Sequence, residues 1–275
     1  MLASRLRSLL SLAGLLALIG AGPVFASGPA VALVVSDGAS FVADVQTKLM
    51  ATGKFSTVDI INAASATPSV AQLQAYRAVL VWSNSGFADS VSLGDNLDTY
   101  LRGGGGVVIA VFANTDPGIL DLRGAFATNG DFPMTVAEQS SGTELTLGTV
   151  HVPGSPLLAG VATFDGGTSS YYDPGTLTPG SVDVADWSNG TPLVATRLIN
   201  DSLVVLLNFF PPSSDARADF WVATTNGTQL MVNALFNAGT QKAVSTPGVP
   251  TVAGWAMALL ATLLLGAGMW RLRRA

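Results

Sequence analysis

Four consecutive glycines, residues 103–106, separate a polar-faced segment ending at Arg102 from the apolar run 107–112, VVIAVF. This junction constrains the chain more than any other stretch. A short β-branched run without polar alternation suits a strand buried on both faces, as in the middle of a parallel sheet. The glycines fit a helix C-cap and a tight helix-to-strand turn, which predicts left-handed backbone at one of them at least. A phosphate-binding loop has the opposite order, strand then glycines then helix, and no GK[ST] follows here, so the turn does not read as a nucleotide site.

The neighbouring segments repeat the pattern. Strands are expected at 31–35, 58–61 and 78–82, and helices at 41–50 (Phe41, Val42, Val45, Leu49), at 70–76 and around Leu93, Leu97, Tyr100 and Leu101. Such alternation predicts an α/β fold, a flavodoxin-like parallel sheet with helices on both faces. Residues 115–190 are rich in Gly, Pro, Ser, Thr and Asp, with short alternating stretches at 145–147 and 149–152. They read as a β-rich elaboration packed against the sheet. Regularity returns in two apolar runs, 193–199 and 203–210, which suggest a hairpin about Asn200-Asp201. A closing helix over 230–236 ends before Gly239. The body is expected as one domain over 28–240, followed by a linker at 241–249.

The 275 residues carry a net charge of −5, which argues against a nucleic-acid partner. There is no cysteine, so thiolate chemistry is excluded, and the single histidine, His151, excludes a multi-histidine metal centre. No cofactor and no metal site are expected. Residues 1–26 combine Arg5 and Arg7, an uncharged apolar run and small residues before Ala26, as an export signal does. At the other end, residues 252–270 hold no charge and Arg271, Arg273 and Arg274 follow at once. A helix of that length spans ~28 Å, a bilayer's hydrocarbon thickness. Trp255 and Trp270 fall near its ends, and the arginines mark its cytoplasmic side. The expected topology is a transmembrane helix anchoring an exported body.

Ligands of open parallel sheets bind beyond the carboxyl ends of the strands. Those ends place Asp37, Asn84, Asn114 and Asn208 as candidate ligand-binding residues; the competing reading is that they cap helices and shape turns. His151 lacks a G-x-S-x-G nucleophile motif and reads as a surface or hydrogen-bonded histidine. Asp116, Asp165 and Asp173 read as turn or solvated carboxylates. Tyr171, Tyr172, Trp187, Trp221, Phe209 and Phe210 read as core, with sugar stacking as the alternative. No catalytic residue is assigned.

The alternation, the segment 98–108 (DTYLRGGGGVV) and the strand 204–209 (VVLLNF) resemble the class I glutamine amidotransferase-like fold, in particular the ThuA-like group. There a Y-v-x-x-G-G-G helix end leads into the strand before the nucleophile. Residues 156–161 (PLLAGV) are similar to that group's H-P-I-x-x-G segment, with Ser155 in the histidine's place. The resemblance implies a cysteine after the fourth strand and a histidine after the late strand. This chain has Phe112-Ala113-Asn114 and Phe209-Phe210-Pro211 there, so it argues for the fold and against amidotransferase activity. The tail, with Val249, Pro250, Thr251, Trp255 and the arginine cluster, resembles the IPTL-type sorting signal over 250–275, a relative of the PEP-type signals. Val249, Val252 and Ala253-Gly254 depart from its usual Ile, Leu and Ser-Glu. That resemblance implies a membrane sorting protease of the exosortase kind as a partner, with processing near Pro250. The expectation is an exported, inner-membrane-anchored envelope protein, held or then released to the surface, with a non-catalytic binding domain and polysaccharide among its candidate partners. The alternatives are a carbohydrate-active hydrolase using carboxylates at the sheet edge, and a structural component of an extracellular matrix.

Overall fold

A computed structural model describes residues 28–239 apart from 116, 117 and 119. The chain begins with β1 (Ala30–Ser36), α1 (Ala39–Ala51), β2 (Thr57–Asn62), α2 (Val70–Leu73), β3 (Ala78–Ser83), α3 (Ser90–Arg102) and β4 (Gly106–Ala110). It continues with α4 (Gly124–Thr128), β5 (Leu147–Val150), β6 (Ser181–Trp187), β7 (Pro192–Ile199), β8 (Ser202–Leu207) and α5 (Gly227–Asn237). All eight strands form one sheet in the order β2-β1-β3-β4-β8-β7-β6-β5. The first five in that order pair in parallel, and β8-β7-β6-β5 pair antiparallel. The described residues fall in one unit, which ends at Gly239.

Strand pleating explains the two cores. Alternate residues of a strand face opposite sides. Val31, Leu33 and Val35 of β1 join Val42, Val45 and Leu49 of α1 and Leu230 and Leu235 of α5 on one face. Ala32 and Val34 join Leu93, Leu97 and Leu101 of α3, with Leu73 of α2 and Phe126 of α4, on the other. Both faces are covered, as the unbroken apolar runs require. Leu97 is fully buried, and truncating such a residue to alanine costs about 2–5 kcal/mol.

The glycine junction behaves as a hinge of fixed shape. Helix α3 starts at Asp89, whose carboxylate accepts from the backbone N–H of Val91 and Ser92 at 3.1 and 2.9 Å, satisfying two free helix donors. It ends at Gly103. Gly104 takes φ +96°, left-handed backbone that glycine alone adopts without strain. Gly105 and Gly106 serve by their lack of bulk. A Cβ on Gly105 would lie 2.2 Å from the Tyr100 ring, and one on Gly106 would lie 2.8 Å from the Ala238 carbonyl and from the Ala78 Cβ.

Three expectations change. The fourth strand stops at Ala110 rather than 112: Val111 and Phe112 donate to Phe209 O (3.3 Å) and Ser83 O (3.1 Å), while Ala113 N turns back to Ala110 O (2.9 Å). Residues 111–113 are apolar because this turn is buried. The 70–76 helix ends at Leu73 after a capping box between Ser69 and Gln72. The elaboration does more than pack against the sheet, because β6 and β5 extend it; the expected parallel sheet is mixed, with β7, β6 and β5 each antiparallel to the strand before it in the order. The signal 1–26, the linker 241–249 and the tail 250–275 lie outside the described residues. Among the described residues, no helix is long and apolar enough to cross a membrane.

Candidate functional site

The carboxyl ends of β1, β3, β4 and β8 share one edge, and the four predicted residues separate there into two groups. Asp37 and Asn84 form the outer group. The Asp37 carboxylate accepts from Trp82 Nε1 (2.8 Å), Asn84 Nδ2 (3.0 Å) and the Gly38 N–H (2.7 Å). Burial raises its pKa above the ordinary carboxylate value, and those three hydrogen bonds act in the opposite direction. The loop after β3 is tied to β1 by Ser36 Oγ, which lies 2.9 Å from Ser85 Oγ and donates to Gly86 O at 2.8 Å. Asn84 itself is exposed.

Asn114 and Asn208 form the inner group, with Asp173 between them, and all three are fully buried. Asn208 Nδ2 donates to the Asp173 and Pro192 carbonyls at 2.9 and 2.7 Å, and its Oδ1 accepts from the Asp173 N–H at 2.8 Å. Asn114 Nδ2 donates to Asp173 Oδ2 at 3.3 Å, whereas Asn114 Oδ1 has no hydrogen-bond partner. The Asp173 carboxyl is pushed up to about 7 by burial, against hydrogen bonds from Gly175, Ala137 and Asn114. Asn208 is thus committed to holding the loop that carries Asp173 against the ends of β7 and β8.

An aromatic cluster continues the edge from Asn84. Phe112, hydrogen-bonded through its N–H to Ser83, lies 5.2 Å from Tyr171 and 5.3 Å from Phe210 between ring centroids. Phe210 and Phe41 each pack on Phe220, at 5.0 and 5.3 Å. Tyr171 is half-buried. Its Oη accepts from Arg217 Nη2 at 3.0 Å, and the guanidinium sits 4.0 Å from the centre of the Phe220 ring. Arg217 also forks onto Asp219, through Nε to Oδ1 at 2.6 Å and Nη2 to Oδ2 at 2.7 Å. This hydrogen-bonded pair is the main reason that the Asp219 carboxyl falls to about 2. Asp37, Asn84, Tyr171 and Arg217 therefore present a strip of polar groups and one ring over an aromatic floor. The cavity beneath Tyr171, also lined by Trp187, Phe209 and Trp221, holds only about 10 Å³, room for one water and no ligand. A wider groove of about 580 Å³ runs along β5 between Thr146, Thr163, Phe164 and Thr225; it includes Asp165 but none of Asp37, Asn84, Asn114 and Asn208.

Among the described residues of the edge, no serine is hydrogen-bonded to a histidine. Ser83 Oγ is occupied by the Leu120 carbonyl at 2.7 Å, and the chain's one histidine follows β5 at the sheet's other margin. Asp165 serves its own turn, accepting from the Gly167 N–H at 2.8 Å. Trp187 and Trp221 are buried, donating to the Asn208 and Pro211 carbonyls. Asp116 lies outside the described residues. Sequence reasoning missed Asp173 as the centre of the inner group, and it missed Arg217, whose role depends on residues 46 positions away.

Comparison with known structures agrees with this architecture. A ThuA-like protein of Bacteroides uniformis superimposes with a TM-score of 0.57 at 15% identity, over 78% of this chain and 94% of that one. Two proteins of Salmonella typhimurium described as cytoplasmic superimpose with TM-scores of 0.56 and 0.54 at 13% and 14% identity. They cover 77% and 76% of this chain and 100% and 99% of their own. No protein-family model matches the chain, and no curated protein matches it. The body thus has the mixed α/β fold of ThuA-like proteins, and at these identities the likeness extends to the fold alone.

Proposed function

We propose that the chain is an exported, membrane-anchored envelope protein whose α/β body binds a polysaccharide at the carboxyl edge of the sheet without transforming it. The observation that carries this reading is the turn after β4, where the ThuA-like resemblance implies a nucleophile. Val111, Phe112 and Ala113 occupy it, all buried, with no reactive side chain among them. The surrounding strip suits recognition. A carboxylate and an amide held 3.0 Å apart at Asp37 and Asn84 can divide the donors and acceptors of adjacent sugar hydroxyls, and the Tyr171 ring offers a face to stack on. A hydrolase would need two carboxyls that reach the substrate. Among the described residues three carboxyls are pushed up to about 7: Asp131 and Asp173 are fully buried, and Asp183 lies on β6, two strands away from β8.

Export and anchoring rest on residues 1–26 and 250–275. The arginine cluster and the likeness to an IPTL-type tail add a sorting protease of the exosortase kind as partner, with cleavage near Pro250. The test is affinity electrophoresis of the full chain in gels containing a panel of bacterial polysaccharides. Retardation by at least one of them, diminished about tenfold or more by Tyr171→Ala and by Asp37→Ala, is expected. Migration identical to that in plain gels across the panel overturns the reading.

A further inference from the structure

We infer that His151, Asp183 and Asp186 form a binding site for a divalent transition metal of the zinc type, independent of the sheet edge described above. One ligand atom from each residue lies within 4.8 Å of the other two. The arrangement depends on an irregularity in β6. Residues three apart on a regular strand face opposite sides, yet the register of β6 against β7 shifts twice between Asp183 and Asp186. Such a shift re-aims side chains, and here it turns both carboxyls to one side. His151 is brought to them by its backbone, whose N–H donates to Val184 O, between the two aspartates, at 3.0 Å.

The donor spacing suits a metal. His151 Nε2 lies 2.7 Å from Asp186 Oδ2 and 3.7 Å from Asp183 Oδ2. A tetrahedral zinc with bonds near 2.1 Å holds its ligand atoms about 3.4 Å apart, so His151 Nε2 stands within about 0.7 Å of the required spacing to each carboxylate. One imidazole and two carboxylates is a mixed nitrogen and oxygen set, which favours zinc-like ions over the all-oxygen preference of calcium and magnesium.

A second observation points to a cation. Asp183 Oδ1 and Asp186 Oδ1 are both buried without a hydrogen-bond partner, and Asp186 is only 7% exposed. Buried carboxylate oxygens without donors are costly. Among the described residues neither aspartate makes an ion pair with lysine or arginine; His151 is the basic partner of both. A divalent ion held by the Oδ2 atoms that face His151 supplies the positive charge that the two carboxylates otherwise draw from His151 alone. The His151 side chain is 41% exposed, which leaves the ion a route from solvent and room for a water ligand.

The test is equilibrium dialysis of the tag-free full chain against Zn²⁺ at pH 7.5, with bound metal counted by elemental analysis. One Zn²⁺ per chain, released by EDTA, is expected. His151→Ala and Asp183→Asn, both on partly exposed side chains, should each weaken binding at least tenfold while melting in EDTA as wild type does. Asp37→Ala should leave Zn²⁺ affinity unchanged. Less than 0.2 Zn²⁺ per chain at 100 µM free metal, or undiminished binding by both His151→Ala and Asp183→Asn, overturns the site.

Discussion

The side chain of Asn208 holds both backbone polar groups of Asp173, accepting from its N–H at 2.8 Å and donating to its carbonyl at 2.9 Å. An amide so placed does for a loop residue what a neighbouring strand does for a strand residue. The third bond, to Pro192 O at 2.7 Å, ties the same point to the start of β7. The elaboration is therefore fastened to the sheet at the end of β8 by a side chain that a surface loop would leave to solvent.

Asn208→Ala should destabilise the body by about 2–4 kcal/mol, because it leaves buried backbone groups unsatisfied in addition to removing three bonds. Urea denaturation of the full chain measures this. A loss below about 0.5 kcal/mol would show that the loop is held by other means.

Asp173 makes stability depend on pH with a definite sign. Its pKa is about 7 in the folded chain against 3.8 for a free carboxyl. Between these values the folded state keeps a proton that the unfolded state has lost, so this group's contribution to stability falls as pH rises from about 4 to about 7 and is level above that. Each pKa unit of the difference corresponds to about 1.4 kcal/mol. Wild type should lose more stability than Asp173→Asn between pH 5 and pH 8 in urea titrations. Equal losses would show that Asp173 is ionised throughout.

The glycine turn predicts a graded series. Gly104→Ala should cost about 1 kcal/mol through its positive φ. Gly105→Ala and Gly106→Ala should cost about 1–3 kcal/mol each through the clash with Tyr100 and with Ala238 and Ala78. Gly103→Ala should stay within about 0.5 kcal/mol, since its φ is −77°. Thermal melts that place all four variants together would contradict the assignment.

This gradation also marks how far the sequence can be read. β1, β3, β4 and β8 were legible because both of their faces are covered, which removes polar residues from the run. α3 and its glycine stop were legible because capping and turning are local. β6 was not: Asp183 and Asp186 interrupt its apolar pattern, and its shifted register breaks the alternation by which a strand is recognised. At the edge, Asp37 and Asn84 could be named from the strand ends, and they do meet. That Asn114 and Asn208 turn inward onto Asp173 depends on a loop 35 residues from Asn208, which no local pattern reports. The partners of His151 were hidden for the same reason.

The tail carries the prediction of anchoring. Deleting residues 250–275 should convert a membrane-bound precursor into a soluble protein of the periplasm or medium, read by fractionation and blotting. Full-length protein recovered soluble from the cytoplasm, or a truncated protein still in the membrane fraction, would contradict it.

Binding without chemistry is the central claim, and its most direct measurement is the fate of a bound ligand. The full chain is incubated to equilibrium with the polysaccharide that retards it most, and in parallel with glutamine. Sugar chain length and released ammonia are followed by chromatography and enzymatic assay. The account predicts saturable binding that weakens about tenfold or more in Tyr171→Ala and Asp37→Ala, with chain length unchanged and ammonia at the level of heat-killed protein. Shortened sugar chains, or ammonia above that level, from protein free of contaminating enzymes would contradict it.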